Sequence, residues 1–135
     1  MTYSPVTLTE AQVINDLIAM RVMNWHIVQS IPPNPVLEQW ADASGQIQQW
    51  RVSYDPTTDL RYAQKVIEQL SYRFSLFIEI HENTVYIKFI NPITKESFGN
   101  RSPVSRLSLA ICVVALKAIG NFPDQIPPEE GYDKE

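Results

Sequence analysis

Cysteine is nearly missing from this 135-residue chain: Cys112 stands alone, so no disulfide framework within the chain holds the fold. Histidine is almost as scarce, and His26 and His81 with a single thiol fall short of the ligand set of a zinc site. With four glycines the sequence offers neither a GxGxxG nor a Walker pattern, which removes the usual glycine-loop cradle for nucleotide phosphates. It also lacks a GxSxG nucleophile elbow. The longest nearly uncharged apolar run, Leu107 to Leu116, is far shorter than the ~18 residues of a membrane span. The opening MTYSPVTLTEAQ has no basic region followed by an apolar one, so no signal peptide is expected and the expected location is the cytoplasm.

What remains is a composition of 44% apolar and 19% charged residues, which suits one globular domain that holds its core without disulfides or a structural metal. Net charge is −4, but it is unevenly placed: residues 1–83 sum to −4, residues 84–120 to +4 and residues 121–135 to −4. An acidic protein is a poor partner for duplex nucleic acid, whose affinity is dominated by phosphate neutralisation, while the middle segment leaves room for a local anion site.

Thr9 and Gln12 read as a capping box, and Val13, Ile14, Leu17 and Ile18 recur at helical spacing, so a first helix is expected over about 10–21. Residues 25–28 are a short strand candidate, stopped by the prolines at 32, 33 and 35. A loop with a polar tip at 42–45 leads to a second strand over 46–54. There Trp50, Val52 and Tyr54 share one face and Gln49, Arg51 and Ser53 the other. Asp55-Pro56-Thr57-Thr58-Asp59 is a turn with a choice of helix caps, and a second helix is expected over 59–72, with Leu60, Ala63, Ile67 and Leu70 inward. Residues 74–80 and 85–90 form a hairpin about the turn 81–84. Phe74, Leu76, Ile78 and Ile80 share one face with Val85, Ile87 and Phe89, and Phe77, Tyr86 and Ile90 lie on the other. Residues 91–101 read as a loop that can carry irregular strand. Ser102 or Ser105 then caps a third helix with Pro103 in its first turn; this helix is apolar all round, hence buried, and ends at Gly120. The acidic, proline-rich residues 121–135 read as an arm outside the single domain of 1–120. The expectation is an α+β fold of order α-β-β-α-β-β-α, with a sheet of about four antiparallel strands and three helices.

RVMNW at 21–25, Tyr54-Asp55-Pro56-Thr57-Thr58-Asp59, the amphipathic helix with Ala63 and Val66, and AICVVALKAIG at 110–120 together resemble the phage ABA sandwich domain family. The resemblance spans about residues 10–120. It implies a small phage or prophage protein built as an α-β-α sandwich around a central antiparallel sheet, and it carries over no catalytic residue. The proline segment 31–35 and the acidic tail depart from the family's compact pattern.

The residues that bear on function are few. Asp55, Thr57, Thr58 and Asp59 suit a metal or a substrate hydroxyl, but they are also what a strand-to-helix turn needs. Trp25 and Trp50, on strands, read as core, whereas Trp40, in a polar stretch, reads equally as core or as an exposed anchor. Arg101, Ser102, Ser105 and Arg106 gather at the expected start of the third helix, where the free N–H groups and the helix dipole favour an anion, with Trp50 or Tyr54 as a stacking surface. The leading expectation is therefore a non-enzymatic phage accessory protein, without cofactor or metal, that sequesters a small anionic ligand such as a nucleotide defence signal or binds a host protein. A structural or assembly protein acting through protein contacts is the alternative, and a small hydrolase or nuclease with clustered carboxylates comes third. A homodimer or higher oligomer is expected, because Phe77, Tyr86 and Ile90 would otherwise face water unless the third helix covers them.

Overall fold

The computed structural model describes residues 10–29, 32 and 34–120. The cap at Thr9 and the arm 121–135 lie outside the described residues. Helix α1 (Glu10–Leu17) continues into a π-helical turn, Ile18–Val22, and stops where Asn24 takes a left-handed conformation at φ 61°. Strands β1 (His26–Val28), β2 (Gln39–Ala41) and β3 (Ile47–Trp50) form an antiparallel three-stranded sheet in chain order. A 3-10 turn, Arg51–Ser53, follows β3 where the sequence pattern had suggested the strand continuing to Tyr54. Helix α2 (Leu60–Leu70) starts at Asp59, whose carboxylate accepts from the Arg61 backbone N–H at 3.0 Å. Strands β4 (Ser75–His81), β5 (Thr84–Ile90) and β6 (Ser97–Pro103) form a second antiparallel sheet, and helix α3 (Leu107–Ala118) closes the described chain.

The fold is α+β, but not with one four-stranded sheet: there are two three-stranded sheets and three α-helices among the described residues. The difference comes from two strands that polar sequence conceals, β2 and β6. Residues 97–101, expected as loop, pair with β5 along their whole length, Phe98 opposite Phe89 and Asn100 opposite Ile87.

The β4–β5 register places Leu76, Ile78 and Ile80 opposite Phe89, Ile87 and Val85, as the alternation of the sequence requires. Helix α3 packs on this inner face through β5 and β6, and it also packs against α1 and α2. Every residue from Ser108 to Leu116 is buried, so the helix is enclosed, as all-round apolarity predicts. The sandwich is thus rearranged relative to the expectation. A helix occupies the enclosed position, and the outer face of the second sheet, carrying Phe77, Tyr86, Lys88 and Arg101, consists of exposed or half-buried residues. Helix α3 does not cover Phe77 and Tyr86; it covers the opposite face.

Trp40 is fully buried in the core, which removes it as an exposed anchor, while Trp50 is the half-exposed one. Leu60 is likewise outside, and Val66 takes its place with Ala63 and Leu70 on the inward face of α2.

Candidate functional site

Asp55 organises the turn that leads into α2. Its Oδ1 accepts from Asn15 Nδ2 of α1 at 3.1 Å and from Thr57 Oγ1 at 3.1 Å, and its Oδ2 accepts from Thr58 Oγ1. Asn15 answers in the other direction, its Oδ1 accepting from the Thr57 backbone N–H at 3.1 Å. This exchange ties the turn 55–59 to α1 with buried or half-buried polar groups, and it fixes where Thr57 and Thr58 stand.

They stand at the rim of a concavity of about 240 Å³ at the start of α3, lined by Ala11 of α1, Thr57, Thr58, Ser105, Arg106, Ser108 and Leu109. Two of the expected site residues, Ser105 and Arg106, are there, in the 3-10 turn Val104–Arg106 that leads into the helix. No side-chain oxygen caps α3, whose N-cap position is Arg106. Among the described residues no acid stands in the first turn of α3, and Ser105, Arg106 and Ser108 line the space at its start. Ser108, only 9% exposed, lines the same space, and no hydrogen-bond partner for its hydroxyl occurs among the described residues. The hydroxyl protons of Thr57 and Thr58 are committed to Asp55, and Ser105, Arg106 and Ser108 line the concavity beside them.

The remaining expected residues are not brought to this place. Ser102 belongs to β6, is buried and gives its hydroxyl to the Pro103 carbonyl at 3.2 Å; neither it nor Pro103 is part of the helix start. Arg101 is on the outer face of β6, its guanidinium carbon 5.4 Å from the centre of the Tyr86 ring. It lines a separate open concavity of about 390 Å³ with Glu79, His81, Glu82, Thr84 and Tyr86. Tyr54 is buried between Trp25 and Tyr62, ring centres 4.9 and 5.3 Å away, and burial pushes its phenol pKa well up, so it is no free stacking surface. Trp50 is exposed at the end of β3 and is not among the residues lining either concavity.

The structure adds a cluster that the sequence reading did not pick out. Arg51 forks onto Asp16 of α1, its Nη2 2.6 Å from Oδ2 and its Nε 3.3 Å from Oδ1, and its Nη1 meets Glu38 Oε1 at 2.6 Å. The two carboxylates raise the guanidinium pKa, hydrogen bonding from Asp16 contributing most, against a smaller opposing effect of burial. One signal was present: Asp16 sits inside an apolar helical run, where a buried acid needs a cation. The arrangement is a clasp joining α1, the entry to β2 and the exit from β3. Among the described residues no group of histidine, cysteine and acidic side chains is arranged to hold a metal ion. Cys112 is fully buried in α3, and the desolvated thiol has a raised pKa that suits a packing residue rather than a nucleophile.

Neither a protein-family model nor a curated protein matches the chain. Among solved structures, a phage protein from Bacillus cereus ATCC 14579, known from a 2.0 Å crystal structure, shares the fold: TM-score 0.54 at 15% identity, over 89% of this chain and 96% of that one. At that identity the likeness is one of fold. No helix among the described residues is long and apolar enough to cross a membrane.

Proposed function

We propose that this chain is a non-enzymatic phage accessory protein that sequesters a small anion through the concavity at the start of α3. The phage setting rests on the sequence resemblance to the phage ABA sandwich domains and on the fold shared with the Bacillus cereus phage protein. The binding reading is carried by one observation: Arg106, Ser105 and the buried Ser108 hydroxyl converge where the dipole of a 12-residue helix favours negative charge. These groups donate hydrogen bonds; no imidazole or thiol stands among them, and the chemistry they support is holding an anion rather than transforming it. Arg101, moved to another surface, is no longer part of this site.

At about 240 Å³ the space is smaller than a typical drug-sized pocket, so it takes the phosphate end of a ligand and leaves a base or second phosphate outside. Nucleoside monophosphates and cyclic dinucleotides, the chemistry of defence signals, fit that description. Calorimetric titration with inorganic phosphate, AMP and cyclic dinucleotides tests it. Binding is expected to weaken at least about tenfold in Arg106→Ala, as loss of a charged hydrogen-bonding partner should give. Arg106→Lys should recover only part of the loss, because the planar fork is gone, and Arg101→Ala should bind as the wild type does. Absence of binding by every probe, or binding that survives Arg106→Ala, rejects the site.

A second reading, a structural or assembly protein acting through protein contacts, is favoured by a different observation: the open edge of the second sheet exposes Phe77, Ile78 and Ile80.

A further inference from the structure

Strand β4 is an edge of the second sheet, and one side of it is paired with β5 while the other is open among the described residues. Seven residues long and free of proline, it carries Phe77 at 44%, Ile78 at 40% and Ile80 at 59% exposure. Proteins usually blunt such an edge with a charge pointing along the inner face, a proline or a bulge. Here the inner face has Leu76, Ile78 and Ile80 in a row, and α3 covers only the neighbouring β5 and β6.

We propose that this edge pairs with the same edge of a second copy of the chain, about a two-fold axis passing through Ile78, giving a continuous six-stranded sheet.

Main-chain geometry selects the register. The hairpin has a two-residue loop, Glu82-Asn83, so its closing pair His81 and Thr84 is a hydrogen-bonded one. Alternation from there turns the N–H and C=O groups of Leu76, Ile78 and Ile80 toward the open edge. An antiparallel copy centred on Ile78 places Ile78 against its own counterpart and Leu76 against the partner's Ile80. The apolar row then continues across the seam on the inner face, and a one-residue slip would set it against the outer face instead.

Charge supplies the independent argument. On the outer face the same register puts Glu79 of one copy beside Phe77 of the other. Lys88, which pairs with Phe77 across the sheet, already leans over that ring, its Nζ 5.5 Å from the ring centre. Neither Glu79 nor Lys88 makes an ion pair among the described residues of the single chain. The two-fold axis brings Glu79 of each copy to one side of a Phe77 ring over which the other copy's Lys88 leans, within reach of a long side chain, twice over. A second copy therefore fits this edge in hydrogen bonding, apolar pattern and charge at once, which no unrelated strand is obliged to do.

Light scattering and sedimentation of the full chain test the proposal. The wild type should run at twice 15.5 kDa at micromolar concentration. Glu79→Lys and Lys88→Glu should each raise the dimer dissociation constant at least tenfold, and the double swap Glu79→Lys with Lys88→Glu should restore it to within about threefold of wild type. Ile78→Pro, which removes an N–H that the chain's own sheet does not use, should be monomeric with an unchanged circular dichroism spectrum. Both charge variants alter exposed or half-buried side chains, so they keep the test independent of whether the proline variant folds. A wild type that stays at 15.5 kDa, or a dimer indifferent to the charge variants, overturns the proposal.

Discussion

Arg51 shows how one side chain sets the local geometry around it. In the sequence it alternates with Trp50 and Val52 on the opposite face of the expected strand. In the structure the strand ends at Trp50, one residue before Arg51, and Arg51 turns inward to two buried acids, Asp16 and Glu38. Removing the cation leaves both carboxylates desolvated and unpaired, the situation in which breaking a buried ion pair costs about 3–5 kcal/mol. Arg51→Met is expected to lose that much stability in urea unfolding, and Arg51→Lys to lose less, since an ammonium reaches one carboxylate but cannot fork across both. A loss below about 1 kcal/mol in Arg51→Met would show that the clasp is solvated and does not hold α1 to the strands. The same scale explains why Trp40 was ambiguous. Its neighbours are polar, and whether the indole lies in or out depends on β1 and β3 pairing on either side of it, which local sequence does not record.

Elements differed in legibility according to how much of their pattern is their own. The β4–β5 hairpin and α3 announce themselves, one by strict period-two alternation and the other by apolar residues in every direction. Strand β6 does not, because its inner face carries Phe98, Asn100 and Ser102, and Asn100 and Ser102 match no apolar alternation even though both are buried. On its outer face Gly99 leaves room for a neighbour: a Cβ there would lie 2.7 Å from the Tyr86 hydroxyl. The strand is thus shaped by Tyr86 and α3 rather than by β propensity. Missing it also misplaced the anion site, since Arg101 and Ser102 belong to the strand and only Ser105 and Arg106 to the turn before the helix. Enclosure of α3 has a direct consequence at this scale. Val114→Asp puts a carboxylate where nothing compensates it, at a cost of several kcal/mol, a large share of the ~5–15 kcal/mol that holds a domain together. The same change at Leu60, exposed on α2, should stay within about 0.5 kcal/mol. Thermal melting of the two variants side by side measures the contrast, and equal midpoints would refute the enclosure of α3.

Across the whole molecule, chemistry and apolar exposure are separated. The anion-favouring concavity lies where α1, the 55–59 turn and the start of α3 meet, while the uncovered apolar edge belongs to β4. The proposed anion site and the proposed dimer edge thus share no residue, and a monomeric Glu79→Lys variant is expected to bind an anion as the wild type does. The uneven charge of the chain suggested a local positive site, but Arg101 and Arg106, five residues apart in the chain, line different concavities. The turn of chain between them separates what sequence proximity had joined.

The enclosed helix is also the last described element to be synthesised, and this gives the molecule a temporal order. Ile87, Phe89, Val66 and Ile18 belong to the same core as this helix, so they cannot all be shielded until residues 107–118 are present. Cooperative folding is therefore expected to wait for the final helix. A chain ending at Arg106 should be collapsed but not cooperatively folded, and the separate peptide 107–120 should restore a cooperative melt when added to it, as a plug completes a mould. A sharp melting transition in the shortened chain by itself would show that the core closes without its centre.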